Sequence, residues 1–135
     1  MKGLGTALIT PFTTDGKIDY DSLGQLIEHQ VSGGTDYLVI LGTTSEVPTL
    51  THKEQDEIIT YVVKQVAGRM PLVLGIGGNS TAAVVERIEE LKEQLVAHFA
   101  AILSVTPYYN RPQQEGLYLH FSAVAEASPV PVILY

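Results

Sequence analysis

Short apolar runs recur along the chain at a nearly constant interval. Each run is four to six residues long and contains mainly aliphatic side chains. Strands that are covered on both faces show such continuous apolar sequence, whereas half-exposed strands alternate apolar and polar residues. The runs therefore predict five strands of a parallel sheet, at residues 7–10, 37–42, 72–76, 101–105 and 130–135.

The segments between these runs carry apolar residues at helical spacing. Residues 51–54 (Thr-His-Lys-Glu) fit a capping box, in which the first and fourth residues satisfy each other's backbone N–H groups. Glycines follow the first two helical patterns, at Gly33-Gly34 and Gly68, and favour a left-handed helix end. The predicted helices begin near Asp21, Thr51, Ser80 or Thr81, and Gln113. The resulting order, (βα)₄β, is typical of a doubly wound sheet or of a TIM (β/α)₈ barrel.

Length and charge limit the classes of function. A chain of 135 residues with 45% hydrophobic content predicts a single domain over residues 1–135. The net charge of −7 and the lack of a basic cluster argue against nucleic-acid binding. No apolar run has the length of a membrane span or of a signal sequence, so we expect a cytoplasmic protein that binds no membrane. The chain has no cysteine and its four histidines are scattered singly, so we expect no disulfide and no metal site.

The loops that follow the predicted strands are the candidate sites, because both α/β folds place their chemistry at the carboxyl ends of the strands. Residues 42–46 (Gly-Thr-Thr-Ser-Glu) combine hydroxyl groups with backbone N–H groups that can hold a carboxylate or a phosphate. An ordinary turn, in which the hydroxyls bond their own backbone, is the alternative.

A glycine-rich segment follows the third predicted strand, at Gly75-Ile76-Gly77-Gly78. It resembles a dinucleotide-binding loop only in part, because Ser80 occupies the third glycine position. We interpret these glycines as positions of a tight turn or of close approach by another loop.

Two adjacent tyrosines, Tyr108 and Tyr109, lie in a loop between Pro107 and Pro112. Proline restricts the preceding residue to extended geometry, so a rigid loop with extended Thr106 and Arg111 is expected. A phenol on such a loop is either a packing or interface group, or a proton carrier.

Four motifs in order carry a family resemblance. They are Gly5–Phe12 (GTALITPF), Gly42–Glu46 (GTTSE), Thr106–Pro112 (TPYYNRP) and Pro131–Tyr135 (PVILY). Together they resemble the dihydrodipicolinate synthase family, class I pyruvate-dependent lyases of the N-acetylneuraminate lyase superfamily. The resemblance implies a TIM barrel, of which this chain would supply about the first four and a half βα units.

The resemblance also implies a reaction: a lysine forms a Schiff base with pyruvate, and the enamine attacks L-aspartate 4-semialdehyde to give 4-hydroxy-tetrahydrodipicolinate in lysine and diaminopimelate biosynthesis. Thr43 would be a proton-relay hydroxyl that also contacts substrate, Thr44 would hold the pyruvate carboxylate, and Tyr135 would be the proton donor. Tyr109 would be the relay phenol, reaching into a neighbouring subunit. A homo-oligomer is implied, a homotetramer built as a dimer of dimers, and no cofactor is expected.

Effector binding is a further implication, because many bacterial members are inhibited by lysine. His52, Asn79 and Tyr108 match the effector site. Ala83 stands where lysine-sensitive members carry a glutamate, which argues against strong lysine feedback.

The sequence departs from the family pattern at several places. Ser45 replaces the usual glycine of the second motif, and residues 89–99 are about three residues longer than expected, with His98 at the usual glycine stop. The Schiff-base lysine would lie on the sixth strand, beyond Tyr135, so we expect the 135-residue chain alone to be inactive, as a portion of a longer enzyme or as a half-barrel that pairs with another chain. The alternatives are a sister aldolase, such as N-acetylneuraminate lyase or a 2-keto-3-deoxy sugar-acid aldolase, and an inactive oligomerisation or scaffold segment.

Overall fold

The computed structural model describes all 135 residues, which fall into two compact units, Met1–Leu72 and Val73–Tyr135. The first unit contains β1 (Gly5–Ala7), α1 (Tyr20–Ser32), β2 (Tyr37–Ile40) and α2 (His52–Val66). The second contains β3 (Leu72–Gly75, beginning at the last residue of the first unit), α3 (Thr81–Glu90), α4 (Lys92–His98), β4 (Ala101–Ser104), α5 (Gln114–Ala127) and β5 (Val132–Leu134). No helix is both long and apolar enough to cross a membrane. A single domain over residues 1–135 remains a prediction.

The first unit is built on a parallel pair of strands. β1 pairs with β2 in the register Gly5↔Tyr37, so pairing begins two residues before the predicted start of the strand. The Tyr37 ring covers Gly5, where a Cβ would overlap it, so this position of the strand requires glycine. Leu8, within the apolar run, is 2% exposed. Its N–H donates to the Val39 carbonyl and so continues the hydrogen bonding between the two strands.

The helix ends of the first unit follow the expected chemistry with small shifts. The N-cap of α1 is Asp19 and not Asp21, because Asp19 has extended geometry and its carboxylate accepts from the Ser22 N–H at 2.9 Å. The capping box of Thr51 and Glu54 at the start of α2 is confirmed. α2 ends at Ala67, which takes the left-handed conformation one residue before the predicted Gly68.

The second unit contains three parallel strands in the order β3, β4, β5. Val73 and Ile102 are fully buried at the centres of β3 and β4, as continuous apolar runs predict. β5 begins at Val132 and not at residue 130, since Pro131 has no N–H to donate to a ladder.

The third predicted helix, which opens at Ser80 or Thr81 and carries apolar residues as far as Leu95, is broken into two helices in the structure. Leu91 ends α3 with φ −94° and ψ 4°, and α4 starts at the next residue. Leu91, Leu95 and Phe99 are all buried, and their four-residue spacing keeps α4 against the core after the break. The chain leaves α4 through Phe99 in extended geometry, so His98 does not have to adopt a left-handed stop.

Candidate active site

The loop that follows β2 is a tight turn closed by its own backbone. Residues 43–45 form a 3₁₀ turn in which the Ser45 N–H donates to the Gly42 carbonyl at 3.0 Å. Leu41 and Glu46 border it with φ of 51° and 56°. Left-handed geometry is unusual for residues with a Cβ, so this loop holds an uncommon backbone path.

The hydroxyl groups of Thr43 and Thr44 lie on the exposed side of this turn. Neither makes a hydrogen bond within the protein, whereas the nearby Thr49 hydroxyl donates to the Glu46 carbonyl at 2.8 Å. The interpretation of residues 42–46 as an ordinary turn that consumes its own hydroxyls therefore does not fit these two threonines. Two adjacent hydroxyl donors on a fixed turn can receive a small carboxylate.

Ser45 points the opposite way, into the protein. Its side chain is 1% exposed, and its hydroxyl donates to the Leu8 carbonyl at 2.6 Å. The Thr10 hydroxyl donates to the Ser45 carbonyl at 2.9 Å. Neither bond was predicted, because the partners lie 37 and 35 residues apart in the sequence.

In the second unit, the loop after β4 presents Tyr109 to solvent. Tyr109 is 91% exposed and has φ 71°, and the Asn110 side chain donates to the Asn79 carbonyl at 2.7 Å. The expectation of extended geometry at Arg111 is wrong, since its φ is 49°. We call the hydrogen bond from the Asn110 side chain to the Asn79 carbonyl the Asn110 tether. This bond and the left-handed backbone at Tyr109 and Arg111 outweigh the preference for extended geometry that Pro112 imposes on the residue before it.

Tyr135 lies beside the start of the same loop. Its N–H donates to the Ser104 carbonyl at 2.9 Å, and its carbonyl accepts from the Thr106 N–H at 2.8 Å. The structure thus brings Tyr135 to the base of the loop that carries Tyr109. Convergence of these two phenols with Thr43, which belongs to the first unit, remains a prediction.

The residues matched to an effector site are all at the surface. His52 is the exposed first residue of α2, and Tyr108 is 49% exposed. Asn79 is exposed and uses its backbone carbonyl for the Asn110 tether. Their grouping around an effector remains a prediction.

Gly77 lies where another segment of the chain approaches closely, which is one of the two interpretations that the sequence allowed for this glycine-rich segment. A Cβ at this position would lie 2.6 Å from Val105 Cγ1 and 3.0 Å from the Val105 N, so the loop after β3 passes directly against the end of β4. Packing of two loops accounts for this glycine without a nucleotide.

His120 is a buried ionisable residue that the sequence did not single out. It is 3% exposed on α5, its Nδ1 lies 2.8 Å from the Thr81 hydroxyl at the start of α3, and its Nε2 has no partner. Burial holds the pKa of His120 below its ordinary value of 6.5. Its contact with Thr81 links α5 to α3.

The lysines are all exposed, and none lies on a strand. Three of them pair with carboxylates at the surface, as in the 2.7 Å contact of Lys17 with Asp15. A Schiff-base lysine requires a neutral amine, which an apolar environment provides and water does not. No group of three or more potential metal ligands occurs.

These features define an α/β protein whose strand-end loops carry hydroxyl and phenol groups. The sequence matches the family model of the dihydrodipicolinate synthetase family over residues 1–135, and the chain belongs to that family. A curated relative, 4-hydroxy-tetrahydrodipicolinate synthase of Parabacteroides distasonis, is 55% identical over the whole chain, which covers 44% of that protein. The chain thus spans about half the length of the curated relatives it matches and corresponds to their amino-terminal half.

Solved structures agree with this assignment. The crystal structure of dihydrodipicolinate synthase from Aquifex aeolicus is 44% identical and matches with a TM-score of 0.89, covering 100% of this chain and 45% of that one. The structure of a monomeric dihydrodipicolinate synthase variant is 36% identical and matches with a TM-score of 0.90. The match covers 98% of this chain and 43% of that one. The predicted TIM-barrel fold class, of which this chain supplies about half, is confirmed.

Proposed function

We propose that this chain forms the amino-terminal half of a lyase that condenses pyruvate with L-aspartate 4-semialdehyde to 4-hydroxy-tetrahydrodipicolinate. The observation that carries the proposal is the 55% identity to 4-hydroxy-tetrahydrodipicolinate synthase along the entire chain. Placement in lysine and diaminopimelate biosynthesis, in the cytoplasm, follows from the same proposal.

Thr44 would bind the pyruvate carboxylate, with Thr43 beside it. The exposure of both threonines on this turn supports these roles, because both hydroxyls are free of protein partners. The carboxylate keeps its charge throughout the reaction, so its contacts fix the orientation of the keto carbon without favouring one step.

Tyr135 would donate a proton beside the Schiff base, and Thr43 and Tyr109 would pass protons onward. Such a relay needs heavy atoms within about 2.6 to 3.2 Å of each other. The exposed, left-handed position of Tyr109 supports delivery of its phenol to a neighbouring subunit, because 91% of its surface is open. The proposed homo-oligomer, a dimer of dimers, would supply that neighbour.

The Schiff-base lysine would come from the remainder of a full-length enzyme. All five lysines of this chain are exposed, which supports the proposal that the 135 residues are inactive by themselves. The same observation favours a second candidate, an inactive scaffold segment, if no remainder exists.

A chimera tests the proposal directly. It joins residues 1–135 to the remainder of the Parabacteroides distasonis relative that this chain does not match. Borohydride reduction with pyruvate should leave a covalent adduct on a lysine of the relative's portion and none on the isolated 135-residue chain. The chimera should also turn over L-aspartate 4-semialdehyde, and Tyr109→Phe should slow turnover by about 10²-fold. A folded chimera that traps pyruvate but acts only on a sugar acid would move the function to a sister aldolase, and an adduct on the isolated chain would refute the proposed inactivity.

A further inference from the structure

The turn that carries Thr43 and Thr44 is connected to the residues after β1 by two buried hydrogen bonds. The Ser45 hydroxyl donates to Leu8, and the Thr10 hydroxyl donates back to Ser45. We call this pair of bonds the Ser45–Thr10 strap. Ser45 is 1% exposed and Thr10 is 5% exposed, so water does not compete for either bond.

The strap acts on a strained backbone. Leu41 and Glu46 both have positive φ, at 51° and 56°, although each carries a Cβ. Residues held in sparsely populated conformations persist only when their surroundings over-determine them. Ser45 lies between these two positions, and its side chain and its carbonyl are both fixed by the strap.

The strap also decides which way the threonines face. With Ser45 anchored inward, the two preceding residues of the 3₁₀ turn place their side chains at the surface. A rotation that released Ser45 would turn the Thr43 and Thr44 peptides with it, because the Glu46 N–H is bonded to the Thr43 carbonyl at 3.1 Å. Donors held in advance bind an anion more tightly than donors that must be ordered on binding.

We propose that Ser45 and Thr10 are positioning residues, which hold Thr43 and Thr44 in the orientation that receives the pyruvate carboxylate. This inference rests on the proposed function. Neither residue contacts substrate in this proposal, and both act through the turn. Since the carboxylate is held in the ground state and in the transition state alike, displacement of Thr44 should raise KM for pyruvate. Displacement of Thr43, the proposed relay hydroxyl, should lower kcat as well.

The test uses the chimera described above, with Ser45→Ala and Thr10→Val as variants that remove one hydroxyl each at little change in volume. A lost hydrogen bond of ordinary strength corresponds to an increase of about 3- to 10-fold in KM for pyruvate. The value of kcat should fall by at most a similar factor, since Thr43 keeps its hydroxyl and loses only its fixed orientation. Thr10→Ser, which keeps the hydroxyl, should return KM toward that of the unmodified chimera.

Thr60→Val is the matched control. The Thr60 hydroxyl also donates to a backbone carbonyl, that of Asp56 at 2.9 Å, but it lies at the exposed surface of α2. Its removal should leave KM unchanged. Equal KM values in Ser45→Ala, Thr10→Val and Thr60→Val would overturn the positioning role.

Hydrogen exchange gives a second measurement that does not depend on turnover. The amide protons of Ser45 and Glu46 should exchange about 3- to 10-fold faster in Ser45→Ala than in the parent, while amides in the centre of α2 should not change. Unchanged exchange at both amides would refute the strap even in an active enzyme. If the unmodified chimera binds no pyruvate, the proposed function fails, and faster exchange would still show that the strap orders the turn.

Discussion

Replacing Gly77 by alanine is expected to destabilise the protein, because the new methyl group has no room. Its Cβ would lie 2.6 Å from Val105 Cγ1 and 3.0 Å from the Val105 backbone N. The side-chain contact can relax by rotation of Val105, but the backbone contact requires a movement of β4 or of the loop. Overpacking of this kind costs about 1 to 3 kcal/mol.

The reduced freedom of the unfolded chain offsets part of that loss. A change from glycine to alanine at a compatible position stabilises by about 0.4 to 1 kcal/mol. Gly77 has no positive φ, so this gain applies in full. Taking the middle of each range, the net expectation for Gly77→Ala is a loss of about 1.3 kcal/mol.

Urea unfolding of the 135-residue chain, followed by circular dichroism, measures the effect. With a slope of about 2 kcal/mol per molar urea, the midpoint should fall by about 0.5 to 1 M. Gly78→Ala is the matched control in the same loop, since its Cβ would meet only Val84 Cγ2 at an ordinary 3.4 Å. Its midpoint should stay unchanged or rise.

A double variant tests the assigned cause. Val105→Ala removes the Cγ1 atom, so Gly77→Ala should be less damaging in that background by about 1 kcal/mol. Equal midpoints for Gly77→Ala and Gly78→Ala, or strict additivity of Gly77→Ala with Val105→Ala, would refute the close approach of the two loops. The glycines of this segment would then need another explanation, such as ligand binding.

Three further outcomes are expected. Ala67→Gly should stabilise the chain by about 1 kcal/mol in urea unfolding, because Ala67 ends α2 at φ 49°, where glycine has no Cβ penalty. Thr51→Ala should destabilise it by about 1 kcal/mol, since it removes the hydroxyl that accepts from the Glu54 N–H, and an unchanged midpoint would contradict the cap. For His120, burial lowers the pKa in the folded state, so the unfolded chain takes up the proton at a higher pH than the folded chain does. The free energy of unfolding is therefore at its full value above about pH 6.5 and decreases as the pH falls below it. His120→Asn, which can still bond Thr81, should flatten the dependence of the thermal midpoint between pH 7 and 5, and an unchanged slope would assign the dependence to other groups.

The sequence predicted strands and helices well because burial, which sets the apolar pattern, also selects these elements. Four of the five predicted strands contain the whole of the observed strand. The break at Leu91 was not predictable from periodicity, since Leu91 and Leu95 continue the apolar pattern of α3 without interruption. The shift of the first N-cap to Asp19 depends on which of two nearby aspartates takes extended geometry, and composition does not distinguish them.

The candidate site was predictable only in part, for a different reason. The motifs supplied the residues that would face substrate, among them Thr43, Thr44 and Tyr109. The residues that hold these loops, such as Ser45 and Asn110, act through contacts between segments more than 30 residues apart. No local pattern in the sequence encodes such a pair, and Ser45 was noticeable only as a replacement for a glycine.

The two candidate loops share a feature that does not depend on the sequence motifs, namely a strained backbone. Five residues other than glycine have positive φ, and four of them border or occupy these loops, namely Leu41, Glu46, Tyr109 and Arg111. Ala67, the fifth, has the ordinary function of ending a helix. A loop with no task beyond connection could place glycine at such positions and avoid the penalty. Each candidate loop instead keeps a side chain there and is fixed by a tether from a distant segment, the Ser45–Thr10 strap in one and Asn110 in the other. Both loops therefore keep a strained backbone that hydrogen bonds from distant segments hold in place. This combination is expected where the direction of a side chain matters more than stability.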